Sequence, residues 1–331
     1  MPTATIISII ALTLISYVLT HYVRKAAIKK SILDNPNERS SHKTPTPRGG
    51  GVAIVATWFI GLAYLSLTQA IEHRLLLALL AGIPLAATGL LDDVLSLSPK
   101  VRLLVQVACA SLAVFFLGGL QVFDLGFAQL TTALPLSIVG VVGMVWFINL
   151  YNFIDGIDGY AAMEAIVVSV AMFVITGNTV CLFLAASVLG FLPWNWQRAK
   201  IFMGDVGSTM LGFNLAVLGL YFQNTREMPL ITWLILTALF WFDASLTILR
   251  RLRNKEKLSE AHRKHAYQRI VQAGWPHQRA TLTGATINLA LIAIALVSKH
   301  IPNLLVAGLA AALVLLHFLV LMADRKFPFA K

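Results

Sequence analysis

Three short segments of the chain concentrate oxygen donors. Leu91-Asp92-Asp93 sets two carboxylates side by side, and Phe202-Met-Gly204-Asp205-Val-Gly207 brackets one acid with two glycines. Between them, Asn149-x-x-Asn152-x-x-Asp155-Gly156-x-Asp158-Gly159 places an amide or a carboxylate at every third residue. Adjacent carboxylates repel, and a divalent cation or an arginine relieves that cost. Amide and carboxylate oxygens are hard ligands suited to Mg²⁺ or Mn²⁺. On helical geometry a three-residue spacing keeps Asn149, Asn152, Asp155 and Asp158 near one face. Gly156 and Gly159 let the backbone approach a ligand closely. The pattern lacks the spacing and terminal Glu of a calcium-binding EF-hand loop. Around Gly204 and Gly207, backbone N–H groups at a helix start favour an anion, directly or through a metal. Phe202 offers a flat ring on which a base can stack. The same ring would equally serve as an anchor at the membrane interface.

Two basic segments complete the inventory. Residues 39–51 read Arg-Ser-Ser-His-Lys-Thr-Pro-Thr-Pro-Arg-Gly-Gly-Gly, in which Lys43, His42 and Arg48 are placed to meet phosphate. Residues 249–280 carry Arg250, Arg251 and Arg253, whose simplest role is attraction to anionic headgroups. Further along, Arg263, His265 and Gln268 mix charged and neutral hydrogen-bonding groups, which suits a ligand better than a lipid surface. Metal-binding oxygens, cations and a base stacker together suit phosphoryl transfer between a water-soluble nucleotide and a lipid phosphate.

The elements that position these groups are membrane helices. Charged residues make up 12% of the 331 residues and hydrophobic residues 58%, against about 25% charged in an average soluble domain. A bilayer core needs about 20 apolar residues per helix. Eleven candidate spans appear, near 3–23, 50–70, 75–91, 101–118, 134–150, 160–176, 179–193, 207–222, 229–248, 281–298 and 303–322. The expected fold is an all-α integral membrane protein, a polytopic helical bundle of about 11 transmembrane helices forming one domain over 1–331. Of the 26 Lys and Arg, 23 fall in the segments 24–48, 92–102, 194–206 and 249–280 and in the C-terminal tail, leaving Arg74, Arg226 and Lys299 for the other side. The positive-inside rule then puts the N-terminus outside and the C-terminus in the cytoplasm, and accounts for the net charge of +11 without a nucleic-acid partner. Cys109 and Cys181 lie in apolar runs without zinc-ligand spacing, and no disulfide is expected. Asp92, Asp93, Asp155, Asp158 and Asp205 all map to cytoplasmic segments, 151–159 among them, which predicts an active site on that face. One acid alone would read as a solvated helix cap; five on one face read as a site. An ion-coupled transporter would carry acids at mid-membrane and on both faces, whereas only Glu72, Asp124 and Glu227 fall outside.

At these motifs the chain resembles the polyprenyl-phosphate N-acetylhexosamine-1-phosphate transferases, relatives of phospho-N-acetylmuramoyl-pentapeptide transferase. The matching pieces are Lys43-Thr-Pro-Thr-Pro-Arg48-Gly-Gly, Leu91-Asp92-Asp93, the Asn149 to Gly159 run, Phe202-Met-Gly-Asp205-Val-Gly-Ser, Phe242-Asp243 with Arg250-Arg251, and His262-Arg-Lys-His265. They cover most of the chain, in family order. The resemblance implies a bacterial inner-membrane enzyme that moves an N-acetylhexosamine-1-phosphate from a UDP-sugar to undecaprenyl phosphate, releasing UMP, with Mg²⁺ as cofactor and Mn²⁺ as a substitute. It implies that Asn152 and Asp205 hold the metal and Phe202 stacks on uracil. Asp92 and Asp93 would handle the lipid phosphate, with Asp155 and Asp158 as further acids of the catalytic centre. Lys43, Arg48, Asn149, Arg263 and His265 would contact substrate. The peptidoglycan branch has a His-His-His run where this chain has His262-x-x-His265, so the resemblance favours the branch that initiates O-antigen and related polysaccharides. Where the family usually has Met before Gly-Gly, this chain has Arg48.

Overall fold

The computed structural model describes residues 1–36, 44–257 and 262–329. Fourteen α-helices run through these residues: α1 Thr3–Lys29, α2 Gly51–Leu67, α3 His73–Leu80, α4 Ile83–Leu95, α5 Pro99–Phe116, α6 Ala133–Ile154, α7 Tyr160–Thr176, α8 Val180–Asn195, α9 Asp205–Asn224, α10 Leu230–Leu236, α11 Ala238–Arg253, α12 Ala266–Gln272, α13 His277–His300 and α14 Leu305–Lys326. Two short antiparallel pairs, β1 Leu33–Asp34 with β2 Thr46–Pro47 and β3 Phe123–Asp124 with β4 Gln129–Leu130, and a 3-10 turn at Pro302–Leu304 complete the secondary structure of the described residues.

Among the described residues seven segments are long and apolar enough to cross a membrane, with α3 and α4 together forming one of them. An eighth crossing results if α10 and α11, which meet at a bend of 77°, are one span; α2, α7 and α8 are apolar but shorter, at 17, 17 and 16 residues. The chain is therefore a multi-pass membrane protein. The outer surface is apolar: Ile7 and Leu14 of α1, Leu134 and Val142 of α6, and Val314 and Phe318 of α14 are exposed. A surface of this kind is at home in lipid rather than water.

Helix α9 forms the centre, packed by α2, α3, α4, α5 and α6. Its run of Gly, Ser, Thr and Asn suits an interior helix in a membrane, where small residues allow close approach and polar ones join helices. Gly207 touches Gly51 of α2 so closely that a Cβ on either would strike the other's backbone. Asn214 accepts the indole N–H of Trp58 at 3.2 Å. A second layer of α1, α7 and α8 packs beside this centre, and α10, α13 and α14 pack against one another.

Several boundaries differ from the sequence reading. Helix α4 runs to Leu95, so Asp92 and Asp93 occupy its last turn rather than a loop. Helix α6 ends at Ile154, so the expected common face does not form: Asn149 and Asn152 lie on the helix with different partners, Gln106 for one and Asp205 and Ser208 for the other, and Asp155 and Asp158 lie in the turn beyond it. The described residues of 249–280 include helix as well as loop, with α11 reaching Arg253, α12 covering Ala266–Gln272 and α13 starting at His277.

Candidate functional site

One cavity of about 610 Å³ opens at the end of the bundle where α4 and α6 finish and α5, α9 and α13 begin. Helix ends bring charges to it in a fixed order. Pro99 follows Ser98, whose hydroxyl accepts the Val101 N–H at 3.4 Å, and this start of α5 places Arg102 one turn in. Arg102 Nη1 lies 2.9 Å from Asp92 Oδ2 and 3.3 Å from Asp205 Oδ2. Asp92 Oδ1 accepts the Leu97 backbone N–H at 2.6 Å. Arg48 lies 2.7 Å from Asp93 through Nε and 3.1 Å from Asp205 through Nη2. Three carboxylates are thus interleaved with two guanidiniums.

Arg48 and Phe202 are held by one backbone zipper. The Phe202 N–H donates to the Pro47 carbonyl, Gly50 N–H to the Phe202 carbonyl and Gly51 N–H to the Met203 carbonyl, each at 2.8 Å. Phe202 is half-buried and lines the cavity. The position before Gly49-Gly50 is therefore where an Arg reaches both Asp93 and Asp205. The Arg48 side chain is raised above its ordinary pKa: burial works against the charge, but Asp93, Asp205 and Asp34 outweigh it.

Helix α9 lacks a side-chain cap of its own, and Asp93 supplies one from α4. Its carboxylate accepts the N–H groups of Asp205 at 2.9 Å and Val206 at 3.3 Å, and the side chain is 1% exposed. An acid at this position also suits the positive end of the helix dipole. Gly204 is required here, because its φ of 74° is left-handed and a Cβ would fall on the Asp93 carboxylate.

Among the described residues no three His, Cys, Asp or Glu side chains form a metal-holding group. The donor chemistry still fits Mg²⁺, which commonly takes one or two protein oxygens and completes its shell with phosphate and water. Asp205 offers two carboxylate oxygens. Asn152 stands beside it, its Nδ2 donating to Asp205 Oδ2 at 3.4 Å while its Oδ1 accepts the Ser208 hydroxyl at 2.7 Å.

Asp155 and Asp158 line the cavity from the α6–α7 turn. Burial, and then Asp205 and Asp93, push Asp155 up to about 7, with Arg48 pulling the other way. Asp158 accepts the Ala199 N–H at 3.2 Å and faces His277 Nδ1 at 3.2 Å. The opposite wall comes from residues 262–277. His262, Gln268 and His277 line it. The Lys264 N–H donates to His262 Nδ1 at 3.3 Å, which leaves the proton of the neutral ring on Nε2. Burial, and then the charges of His265 and Arg251, lower His262 to about 4, so it is a neutral hydrogen-bonding group near pH 7.

Of the residues expected from sequence, Arg48, Asp92, Asn152, Asp155, Asp158, Phe202 and Asp205 line this one cavity. Four do not. Asp93 is buried behind it as the α9 cap. Asn149 is paired with Gln106 of α5, donating at 2.7 Å and accepting at 3.3 Å, so it joins two helices. His265 is 2% exposed and stacks on Tyr267 with ring centroids 5.8 Å apart, its pKa lowered to about 3 by burial and by Arg251 and Arg269. Arg263 lies off the cavity lining, with its carbonyl accepting Gln272 at 2.8 Å. Lys43 lies outside the described residues. The cavity is also lined by Arg102, His277, Asp34 and Asn195, which the sequence does not single out, and by His262 and Gln268, which lie in a stretch that the sequence marks as ligand-binding without giving either a role. For Arg102 the sequence carries a signal: a cation at the start of a span, ten residues after Asp92.

The sequence profile of glycosyl transferase family 4 matches residues 75–223, which run from within α3 to within the last turn of α9 and hold all the cavity carboxylates except Asp34. The chain is 30% identical over 299 residues to a probable undecaprenyl-phosphate N-acetylglucosaminyl 1-phosphate transferase of Bacillus subtilis (strain 168), covering 84% of this chain and 80% of that one. It is 30% identical over 305 residues to an undecaprenyl-phosphate alpha-N-acetylglucosaminyl 1-phosphate transferase of Yersinia pestis, with 86% and 82% covered. It is 29% identical over 316 residues to a decaprenyl-phosphate N-acetylglucosaminephosphotransferase of Mycobacterium leprae (strain TN), with 81% and 77% covered.

Proposed function

The chain belongs to glycosyl transferase family 4, and from that premise we propose how its cavity moves a sugar-1-phosphate onto a polyprenyl phosphate. The enzyme is a membrane phosphotransferase. Its donor is a UDP-N-acetylhexosamine, with UDP-N-acetylglucosamine favoured by the names of its relatives, and its acceptor is undecaprenyl phosphate. The reacting end of the bundle faces the cytoplasm of a bacterial inner membrane, N-terminus outside, and the product initiates a surface polysaccharide such as O-antigen.

The observation that carries this reading is the interleaved set Asp92, Arg102, Asp205 and Arg48 at the floor of a cavity at one end of a lipid-embedded bundle, with Asp93 paired to Arg48 just behind it. An oxygen of the lipid phosphate bonds to the sugar-linked phosphorus. The bond from that phosphorus to the bridging oxygen breaks, and UMP leaves with the electron pair. The attacking phosphate is already anionic near neutral pH, so charge neutralisation and alignment matter more than a base. Arg48 and Arg102 supply positive charge on the floor. Asp205 and Asn152 would hold Mg²⁺ or Mn²⁺, which when bound neutralises phosphate charge as the bond breaks. Phe202 stacks on the uracil, and Asp92 orients Arg102 toward the phosphates. Asp155 and Asp158 shape the turn that closes the cavity, and His262, Gln268 and His277 hydrogen-bond the sugar or the diphosphate.

The test is transfer of radiolabel by the purified protein with undecaprenyl phosphate, Mg²⁺ and a panel of UDP-N-acetylhexosamines, with UMP measured as co-product. Label should enter the lipid fraction with one UMP released per transfer, and excess EDTA should stop it. Full UMP release without lipid phosphate, or undiminished transfer in EDTA, would overturn the proposal.

A further inference from the structure

The residues following the main body of α14 reach back to the cavity wall. Arg269 of α12 is the meeting point, with its side chain 3% exposed. Its Nη1 lies 2.6 Å from Asp324 Oδ1 and donates to the Phe327 carbonyl at 2.7 Å, while its Nε donates to the Lys264 carbonyl at 3.1 Å. Asp324 also takes both terminal nitrogens of Arg250, at 3.1 and 2.9 Å. The Phe329 ring lies 5.3 Å from the Arg250 guanidinium, 5.4 Å from the Lys264 ammonium and 5.6 Å from the Arg269 guanidinium. One short segment thus gathers cations from the end of α11, from the stretch before α12 and from α12 itself.

These contacts have a direction. Lys264 lies two residues after His262 and Arg269 directly follows Gln268, and His262 and Gln268 line the cavity. None of the interactions described for Asp324, Phe327 and Phe329 reaches Arg48, Asp92, Arg102 or Asp205. A carboxylate shared by two guanidiniums, one of them almost fully buried, is strongly coupled to their positions, because removing it leaves a buried charge uncompensated. The face of an aromatic ring attracts cations without fixing their hydrogen bonds. Together they tie the 262–272 stretch to the end of α14 through Lys264 and Arg269, residues that are not in the cavity lining.

We propose that Asp324–Phe329 is a positioning clamp for the wall of the donor site, setting the placement of His262 and Gln268 and thereby the affinity for the sugar nucleotide. Asp324 and Phe329 touch no substrate; they act through Lys264, Arg250 and Arg269. The inference rests on the reading of the cavity as the donor site. It predicts a split effect, because the wall is clamped and the charged floor is not.

The experiment uses the full chain in detergent, comparing wild type with Phe329→Ala, Phe329→Trp and Asp324→Asn. Three quantities are read: KM for UDP-N-acetylglucosamine, KM for undecaprenyl phosphate, and hydrogen exchange of the amides of residues 266–272. Phe329→Ala should raise the donor KM about fivefold, the scale of a cation–π contact at a partly buried site. The lipid KM should stay within about twofold, and exchange over 266–272 should accelerate about fivefold on the same scale. Phe329→Trp keeps a ring face for the cations and should restore both. Asp324→Asn should act in the same direction and more strongly; if it does not fold, the two Phe329 variants decide. Unchanged donor KM and unchanged exchange in Phe329→Ala would overturn the clamp, as would equal losses for both substrates, which mark a general loosening of the bundle. If the wild type transfers no sugar phosphate, the donor-site reading fails separately. The exchange measurement then still shows whether this segment holds α12.

Discussion

The floor and the wall of the cavity are built by different means. The floor is charged, and the ends of long helices fix it: Asp92 in the last turn of α4, Arg102 in the first turn of α5, Asn152 near the end of α6 and Asp205 at the start of α9. Its three carboxylates and two guanidiniums satisfy one another at 2.7–3.3 Å. The wall combines His262, from the stretch before α12, Gln268 on α12, a helix of seven residues, and His277 at the start of α13, and it is tied to α14 by the Arg269–Asp324 ion pair. The difference separates two tasks. Groups that stabilise developing charge need positions that do not relax during the reaction, and packed helix ends provide them. Groups that discriminate between substrates need directional hydrogen bonds that a wrong substrate leaves unmade.

The strongest way to break this comparison is at the floor. Asp205→Asn keeps the shape of the side chain but removes the charge that faces Arg48 and Arg102. It should lower kcat by at least about two orders of magnitude, the scale seen when a group acting on transition-state charge is removed. The protein should still fold, because Asp93 caps α9 through backbone N–H groups that the substitution leaves in place. Single-turnover transfer at saturating substrates measures it. Near-normal turnover would remove Asp205 from the chemistry.

Phe202 lies between the two regions and should give a smaller effect of another kind. Base–aromatic stacking is worth roughly 1–3 kcal/mol per base. Phe202→Ala should therefore raise the donor KM about tenfold with kcat nearly unchanged, whereas a ring that only anchors the protein in the membrane would leave KM alone. Steady-state kinetics against UDP-N-acetylglucosamine separates the two.

At the wall the expected change is in choice rather than speed. Gln268→Ala removes a two-sided hydrogen-bonding group from the lining. The ratio of kcat/KM for two UDP-N-acetylhexosamines should move by about fivefold to tenfold, within the range of a lost hydrogen bond to a substrate group. The same ratio should stay constant in Asp205→Asn, even as both rates collapse. A ratio that moves at the floor and not at the wall would reverse the assignment of tasks.

The floor was largely legible in the sequence and the wall was not, for a physical reason. Acids at the ends of apolar runs are costly and therefore conspicuous; Asp92, Asp155, Asp158 and Asp205 stood out by type and place, and all line the cavity. Asp93 stood out equally, but its neighbour in sequence faces the cavity while it faces the α9 backbone, a distinction set by the turn of α4. Asn149 shared the spacing of Asn152 and still faces α5, because a three-residue step on a helix rotates the side chain enough to exchange partners. Within 262–269 the sequence offers four rings or amides and three cations at short intervals, without a period to separate inside from outside. The structure selects His262 and Gln268 for the cavity and turns His265 into the core, where it stacks on Tyr267. The helical character of the fold was plain from composition. The bend between α10 and α11 and the break between α3 and α4 were hidden inside apolar runs.

The two regions should also respond to pH with opposite sign, which gives the smallest and most specific of these expectations. At the wall, burial first and neighbouring positive groups second lower His262 to about 4 and His265 to about 3, against 6.5 for an unfolded histidine. Between those values the unfolded chain binds protons that the folded chain does not, so the wall's contribution to stability is lost as pH falls from about 6.5. At the floor, burial and the charges of Asp205 and Asp93 raise Asp155 to about 7, against 3.8 unfolded. There the folded chain holds the extra proton, and stability is lost as pH rises from about 3.8 through 7. Thermal midpoints of the purified protein in EDTA, taken from pH 4.5 to 8, should show both. His265→Gln should flatten the acid limb, and Asp155→Asn should raise the midpoint at pH 8 relative to pH 5, each by a few degrees, the shift expected for about 1 kcal/mol. If both variants follow the wild-type curve, neither group is held in the environment described. If Asp155→Asn instead loses stability at pH 8, its carboxylate is stabilised by Arg48 more than it is opposed by Asp205 and Asp93, and the charge balance of the floor is the reverse of the one drawn from its geometry.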